Sequence, residues 1–187
     1  NNMRKDIPNL IIFCGSGRNI GETALVRSVI SFTKDKFDVA AVKISPHLHT
    51  DIQSENLIFE EEDLNIFQES EISSKDSSLF LQSGAHPVYY VETKDYQIEK
   101  AFNKISALIG DDKLIVCESG ILARYVKPGV LVYIESAENN EENNKLFTNR
   151  AIADIIINVE EGKLNEELKQ INKKIVASSG KWSLVKF

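Results

Sequence analysis

Residues 15–23, GSGRNIGET, directly follow the apolar run LIIFC and precede the amphipathic stretch TALVRSVISF. A strand, a glycine-rich turn and a helix in that order make a phosphate-binding loop. Glycines let backbone N–H groups face an anion, the helix N-terminus adds partial positive charge, a lysine reaches the phosphates, and Ser or Thr holds Mg²⁺. Gly15, Ser16, Gly17, Arg18, Asn19 and Gly21 supply the loop, and Thr23 stands at the hydroxyl position. Glu22, however, stands where the lysine belongs. A unit charge about 4 Å from a phosphate is worth roughly 4 kcal/mol at an effective dielectric near 20, so this replacement turns attraction into repulsion of similar size. Nucleotide binding then requires another cation, with Arg18, Lys43 and Lys75 the candidates. A plain glycine-rich turn between strand and helix accounts for the same residues.

Further chemistry-bearing residues follow the later apolar runs. Lys43 ends one run and leads into Ser45-Pro46-His47-Leu48-His49. In an open parallel sheet the carboxyl edge is where ligands bind. The two histidines suit a metal or a solvated loop. Lys75 and Asp76 open a short helix-like segment that stops at Gly84-Ala85, where Asp76 either caps the helix or faces the site. Glu118 ends the run Leu114–Cys117. A carboxylate in that position holds Mg²⁺ or polarises an attacking water, although a helix N-terminal acid has the same sequence.

These residues need a frame, and the hydropathy pattern supplies one. Continuous apolar runs near 9–14, 38–44, 87–92, 113–118, 129–135 and 153–159 read as strands covered on both faces, alternating with helical stripes. One stripe is Leu25, Val26, Val29, Ile30 and Phe32; another is Ile98, Ala101, Phe102, Ile105, Leu108 and Ile109. Leu164, Leu168, Ile171 and Ile175 mark a late helix running into a strand-like tail in which Trp182 packs. Residues 51–74 are acidic but carry Leu57, Ile58, Phe59, Leu64, Ile66 and Phe67, which predicts a hairpin or flap. Residues 135–144 read as a loop. The expected architecture is one three-layer α/β domain over residues 1–187, P-loop NTPase-like, with a mainly parallel sheet.

Composition limits the function classes. At 187 residues, 42% hydrophobic and 27% charged, the chain has the balance of a globular domain. A net charge of −6 gives no electrostatic reason to expect a nucleic acid or an anionic membrane as partner. No apolar run approaches the ~20 residues that span a bilayer, and no signal-peptide core stands at the start, so a cytoplasmic location is expected. Cys14 and Cys117 end separate apolar runs, which predicts buried thiols near one sheet edge rather than a disulfide.

The segments GSGRNIGET, KISPHLH, KDSSLFLQSGA and VCESG, in this order, resemble the molybdopterin-guanine dinucleotide biosynthesis protein B family over roughly residues 9–135. The resemblance implies a GTP-binding accessory protein with weak GTPase activity that assists guanylylation of the molybdenum cofactor alongside a nucleotidyltransferase partner. It implies Mg²⁺ and GTP as cofactors, Gly15, Gly17, Gly21 and Thr23 around phosphate, Lys43 and Asp76 lining the site, and Glu118 facing the metal with Thr23. Catalysis, where present, would rest on Thr23 and Glu118. Departures from the pattern are Glu22, the five residues rather than four between Gly15 and Gly21, and the long 51–74 segment. That five-residue spacing is similar to the dethiobiotin synthetase loop, an ATP-dependent ligase. A non-catalytic interaction module on the same frame is the other alternative. The oligomeric state stays open between a monomer and a homodimer.

Overall fold

Each continuous apolar run forms a strand, because a segment without a polar face is stable only where both faces are covered. The structure, a computed structural model, describes residues 4–16, 20–48, 56–72, 75–136, 149–160 and 163–185. Strands β1 (Lys5–Gly15), β2 (Val39–Ser45), β5 (Val88–Thr93), β6 (Leu114–Glu118), β7 (Val126–Ser136) and β8 (Ile155–Val159) occupy the six expected positions. Two more, β3 (Leu57–Glu61) and β4 (Leu64–Gln68), arise from the acidic segment. Together they form one eight-stranded sheet in the order β3-β4-β5-β2-β6-β1-β7-β8. The ladders from β5 through β8 are parallel, while β3, β4 and β5 are joined antiparallel. The described part of the acidic segment, residues 56–72, is therefore a hairpin built into the sheet edge, and residues 51–55 and 73–74 lie outside the described residues.

Helices α1 (Glu22–Thr33), α2 (Asp76–Ser83) and α4 (Leu164–Lys174) cover one face, and α3 (Ile98–Ile109) the other. On the α1 face, Ile11, Phe13, Val116 and Val132 pack with Leu25, Val26, Ile30, Phe80 and Ile171. On the α3 face, Leu10, Ile12, Val42, Val91 and Leu131 pack with Ile98, Phe102 and Ile105. Alternation along each strand thus feeds two apolar layers. Two stripe members do not join them: Phe32 is 57% exposed and Leu108 51%. Both lie at the margin of their helix's apolar arc, while the following residues, Thr33 and Ile109, turn inward and are buried. Ile175 also leaves its expected helix, opening β9 (Ile175–Ser178), which pairs with β10 (Lys181–Leu184) and carries the buried Trp182.

The hairpin is tied to α3 and the turn before it. Lys104 Nζ sits 3.9 Å over the Phe59 ring, Lys100 pairs with Glu61, and Tyr96 donates to Asp63 at 2.7 Å. Cation–π and charge contacts of this kind explain how an acidic edge strand remains attached to the sheet. Among the described residues no helix is long and apolar enough to cross a membrane.

Candidate functional site

Strand register brings the site together. In the parallel ladder β2–β6, Lys43 lies opposite Glu118, and in β1–β6, Phe13 lies opposite Glu118. Lys43 and Glu118 are therefore neighbours on the α1 face at the carboxyl edge, next to the turn that leaves β1. Lys43 Nζ bridges two carboxylates at 2.8 Å each, Glu118 Oε1 and Asp76 Oδ2. From the first turn of α1, Thr23 Oγ1 donates to Glu118 Oε2 at 3.1 Å. Thr23, Glu118, Lys43 and Asp76 thus form one continuous polar chain across α1, β6, β2 and α2.

Asp76 is the first residue of α2, one position inside the N-cap Lys75. Its carboxylate meets Lys43, so it faces the site. Lys75 is exposed. His47 is also exposed, at the end of β2. Gly17, Arg18, Asn19 and His49 lie outside the described residues.

The glycine turn is arranged around Glu22. Gly21 has φ +99°, the left-handed region that glycine enters without penalty, and from it α1 begins. A Cβ built on Gly15 would lie 2.3 Å from Glu22 Oε1 and 2.5 Å from Ile20 Cδ1. The Glu22 carboxyl and the Ile20 methyl therefore rest directly on the Gly15 backbone. The Ser16 N–H continues the β1–β7 ladder by donating to Ile134 O at 2.8 Å.

Burial pushes the Glu22 carboxyl up to about 8, with the Glu118 charge adding to the rise and Lys43 opposing it. Burial also presses on Lys43, but Glu118 and Asp76 outweigh it and hold the ammonium above its ordinary value. Burial raises the Cys14 thiol to about 12, with the Glu22 charge adding to the rise, and burial takes Cys117 well above its usual range. Both are free, inert thiols.

Three carboxyl groups, Glu22, Asp76 and Glu118, thus surround one ammonium, Lys43, among the described residues near Thr23. Adjacent hydroxyl and carboxylate oxygens at Thr23 and Glu118 suit a hard cation. Among the described residues, though, no group of three or more His, Cys, Asp or Glu could hold a metal ion, so further oxygen ligands would have to arrive with it. The space over Gly15 is filled, the Ser16 N–H is committed, and Lys43 already meets two carboxylates.

The sequence placed Lys43, Asp76, Glu118, Thr23, Gly15, Gly21 and Glu22 at one edge, and the structure brings them together. It did not reveal Ile20, whose apolar character inside a polar loop was the available signal. It also missed Leu164, whose Cδ1 would lie 2.7 Å from a Cβ on Gly21. Compared with protein-family models, curated proteins and solved structures, the chain matches none.

Proposed function

We propose that this chain is an accessory protein of the P-loop type, similar in its motif order to the molybdenum-cofactor guanylylation proteins, which keeps the frame of a nucleotide site but holds GTP weakly. The reading is supported above all by one observation. The three segments that carry the resemblance downstream of the loop, at Lys43, Asp76 and Glu118, meet Thr23 in a single bonded chain at the carboxyl edge of the sheet. Its work then passes through a protein partner in the cytoplasm, a nucleotidyltransferase by that resemblance, rather than through rapid GTP hydrolysis.

A second reading, a non-catalytic interaction module, draws on a different observation: among the described residues of the site, the carboxyl groups of Glu22, Asp76 and Glu118 gather at Lys43. Calorimetric titration with GTP and ATP, with and without Mg²⁺, separates the two. The accessory reading expects a Kd near or above about 1 mM, equivalent to roughly −4 kcal/mol, and at least tenfold tighter binding, about 1.4 kcal/mol, in Glu22→Lys at low salt. Micromolar affinity in the parent would overturn the claim of weak holding. No binding in either protein would leave the interaction module.

A further inference from the structure

A cavity of about 250 Å³ opens between the C-terminal half of α1, the end of α4 and the β9–β10 hairpin, and shares no residue with the glycine turn. Its wall is largely apolar, formed by Val29, Phe32, Phe37, Ile175, Val176 and Val185. Phe32, the exposed member of the α1 stripe, thus has a place in this wall. Two polar residues of the same wall, Trp182 and Asn172, carry unmet hydrogen bonds. Trp182 is 3% exposed, and its Nε1 has no partner among the described residues. Asn172 donates through Nδ2 to Ser28 Oγ at 3.0 Å and to Leu168 O at 3.4 Å, while its Oδ1 has no partner among them. One unmet donor and one unmet acceptor therefore belong to a single cavity wall.

A buried indole N–H ordinarily finds an acceptor, and a buried polar atom left unpaired calls for a cause. A water takes about 30 Å³ of space, so one bound to both atoms would leave most of the apolar cavity unfilled. An apolar cavity of about 150 Å³ takes benzene, so this one has the size for a single ring with a substituent. The two polar atoms define the head group, which must accept from the indole N–H and donate to the amide oxygen. A carboxylate cannot donate and an ammonium cannot accept, whereas a neutral amide or hydroxyl does both. We propose that this cavity binds a small monocyclic molecule with a neutral amide or hydroxyl head, its ring against Phe32, Phe37 and Val176 and its head between Trp182 and Asn172. Both polar atoms are sealed from bulk water, and side-chain rotation of the kind common on binding brings them to the head. The site stands independently of the nucleotide reading.

Because the chain has a single tryptophan, the isotope-labelled protein gives one indole N–H cross-peak, which reports on the cavity directly. Benzamide, benzyl alcohol, toluene and benzoate are each titrated into the parent, Asn172→Ala and Val176→Phe while that cross-peak is followed, with affinities measured by calorimetry. Benzamide and benzyl alcohol are expected to move it saturably with a Kd at or below about 1 mM, at least tenfold tighter than toluene or benzoate. Asn172→Ala should weaken benzamide binding by about tenfold and leave toluene unchanged. Should Asn172→Ala fail to fold for want of its bonds to Ser28 and Leu168, Val176→Phe, at an exposed position, fills the cavity instead and should abolish the response to both polar probes. No saturable shift with either polar probe would overturn the site. Equal affinity for toluene and benzamide would overturn the role of the two polar atoms, and tighter binding of benzoate than of benzamide would overturn the neutral head. Unchanged binding in Val176→Phe would place the ligand elsewhere and overturn the cavity.

Discussion

Glu22 carries a burden that depends on pH. Its carboxyl titrates near 4.5 when unfolded and near 8 in the fold, raised by burial and by Glu118 against the pull of Lys43. Between those values the native state binds the proton and the unfolded state does not, so stability falls as pH rises from about 4.5 to 8 and levels off above. The loss is on the order of a few kcal/mol. Glu22→Gln removes the titration while keeping the shape. Urea unfolding at pH 5, 7 and 8.5 should show the parent losing stability relative to Glu22→Gln across this window. Parallel curves would mean that Glu22 is not held as a neutral acid. This property could not be read from residue type, since the sequence shows a carboxylate in the lysine position but not that the chain folds over it.

At the scale of elements, the turn between β1 and α1 is held by a contact from far along the chain. Gly21 combines a left-handed backbone with the approach of Leu164, the first residue of α4, while Ser28 donates to Leu168 O and Asn172 donates to Ser28. Gly21→Ala should cost at least about 1 kcal/mol from backbone conformation alone, with the Leu164 contact adding to it. Denaturant unfolding of Gly21→Ala with and without Leu164→Ala separates the parts: the second substitution should recover the contact and leave the conformational cost. Full recovery would refute the backbone argument. The parallel strands were legible because burial on both faces leaves uninterrupted apolar runs such as Ile11–Cys14 and Leu114–Cys117. Hairpin β3–β4 was legible only as alternatives, hairpin or flap, because Glu60, Glu61 and Glu62 mask Ile66 and Phe67 in an average over the segment. The α4 contact left no signal, for nothing in Leu164 or Gly21 names the other.

Over the whole molecule, the two apolar layers share the strands of one sheet, and the C-terminal elements complete the layer on the α1 side. Ile171 of α4, Ile175 of β9 and Trp182 of β10 are all buried in it. A Cβ on Gly129 of β7 would lie 2.8 Å from the Trp182 carbonyl oxygen and 2.4 Å from that of Pro8, so β10 passes over β1 and β7 with no room between the backbones. The α4–β9–β10 segment is therefore part of the same packing that seats α1 and, through Leu164, the glycine turn. It follows that the segment should unfold with the sheet rather than ahead of it. Trp182, the chain's single tryptophan, lies within that segment and reports on it directly. Its fluorescence and the far-ultraviolet circular dichroism of the whole chain should trace one urea transition with a common midpoint, as a two-state unit requires. Trp182→Ala should move that midpoint down by the equivalent of about 3–5 kcal/mol, as for a large side chain removed from a core. A fluorescence transition at clearly lower urea than the circular dichroism would show that the C-terminal elements open independently, and that the loop's contact with Leu164 is lost before the sheet melts.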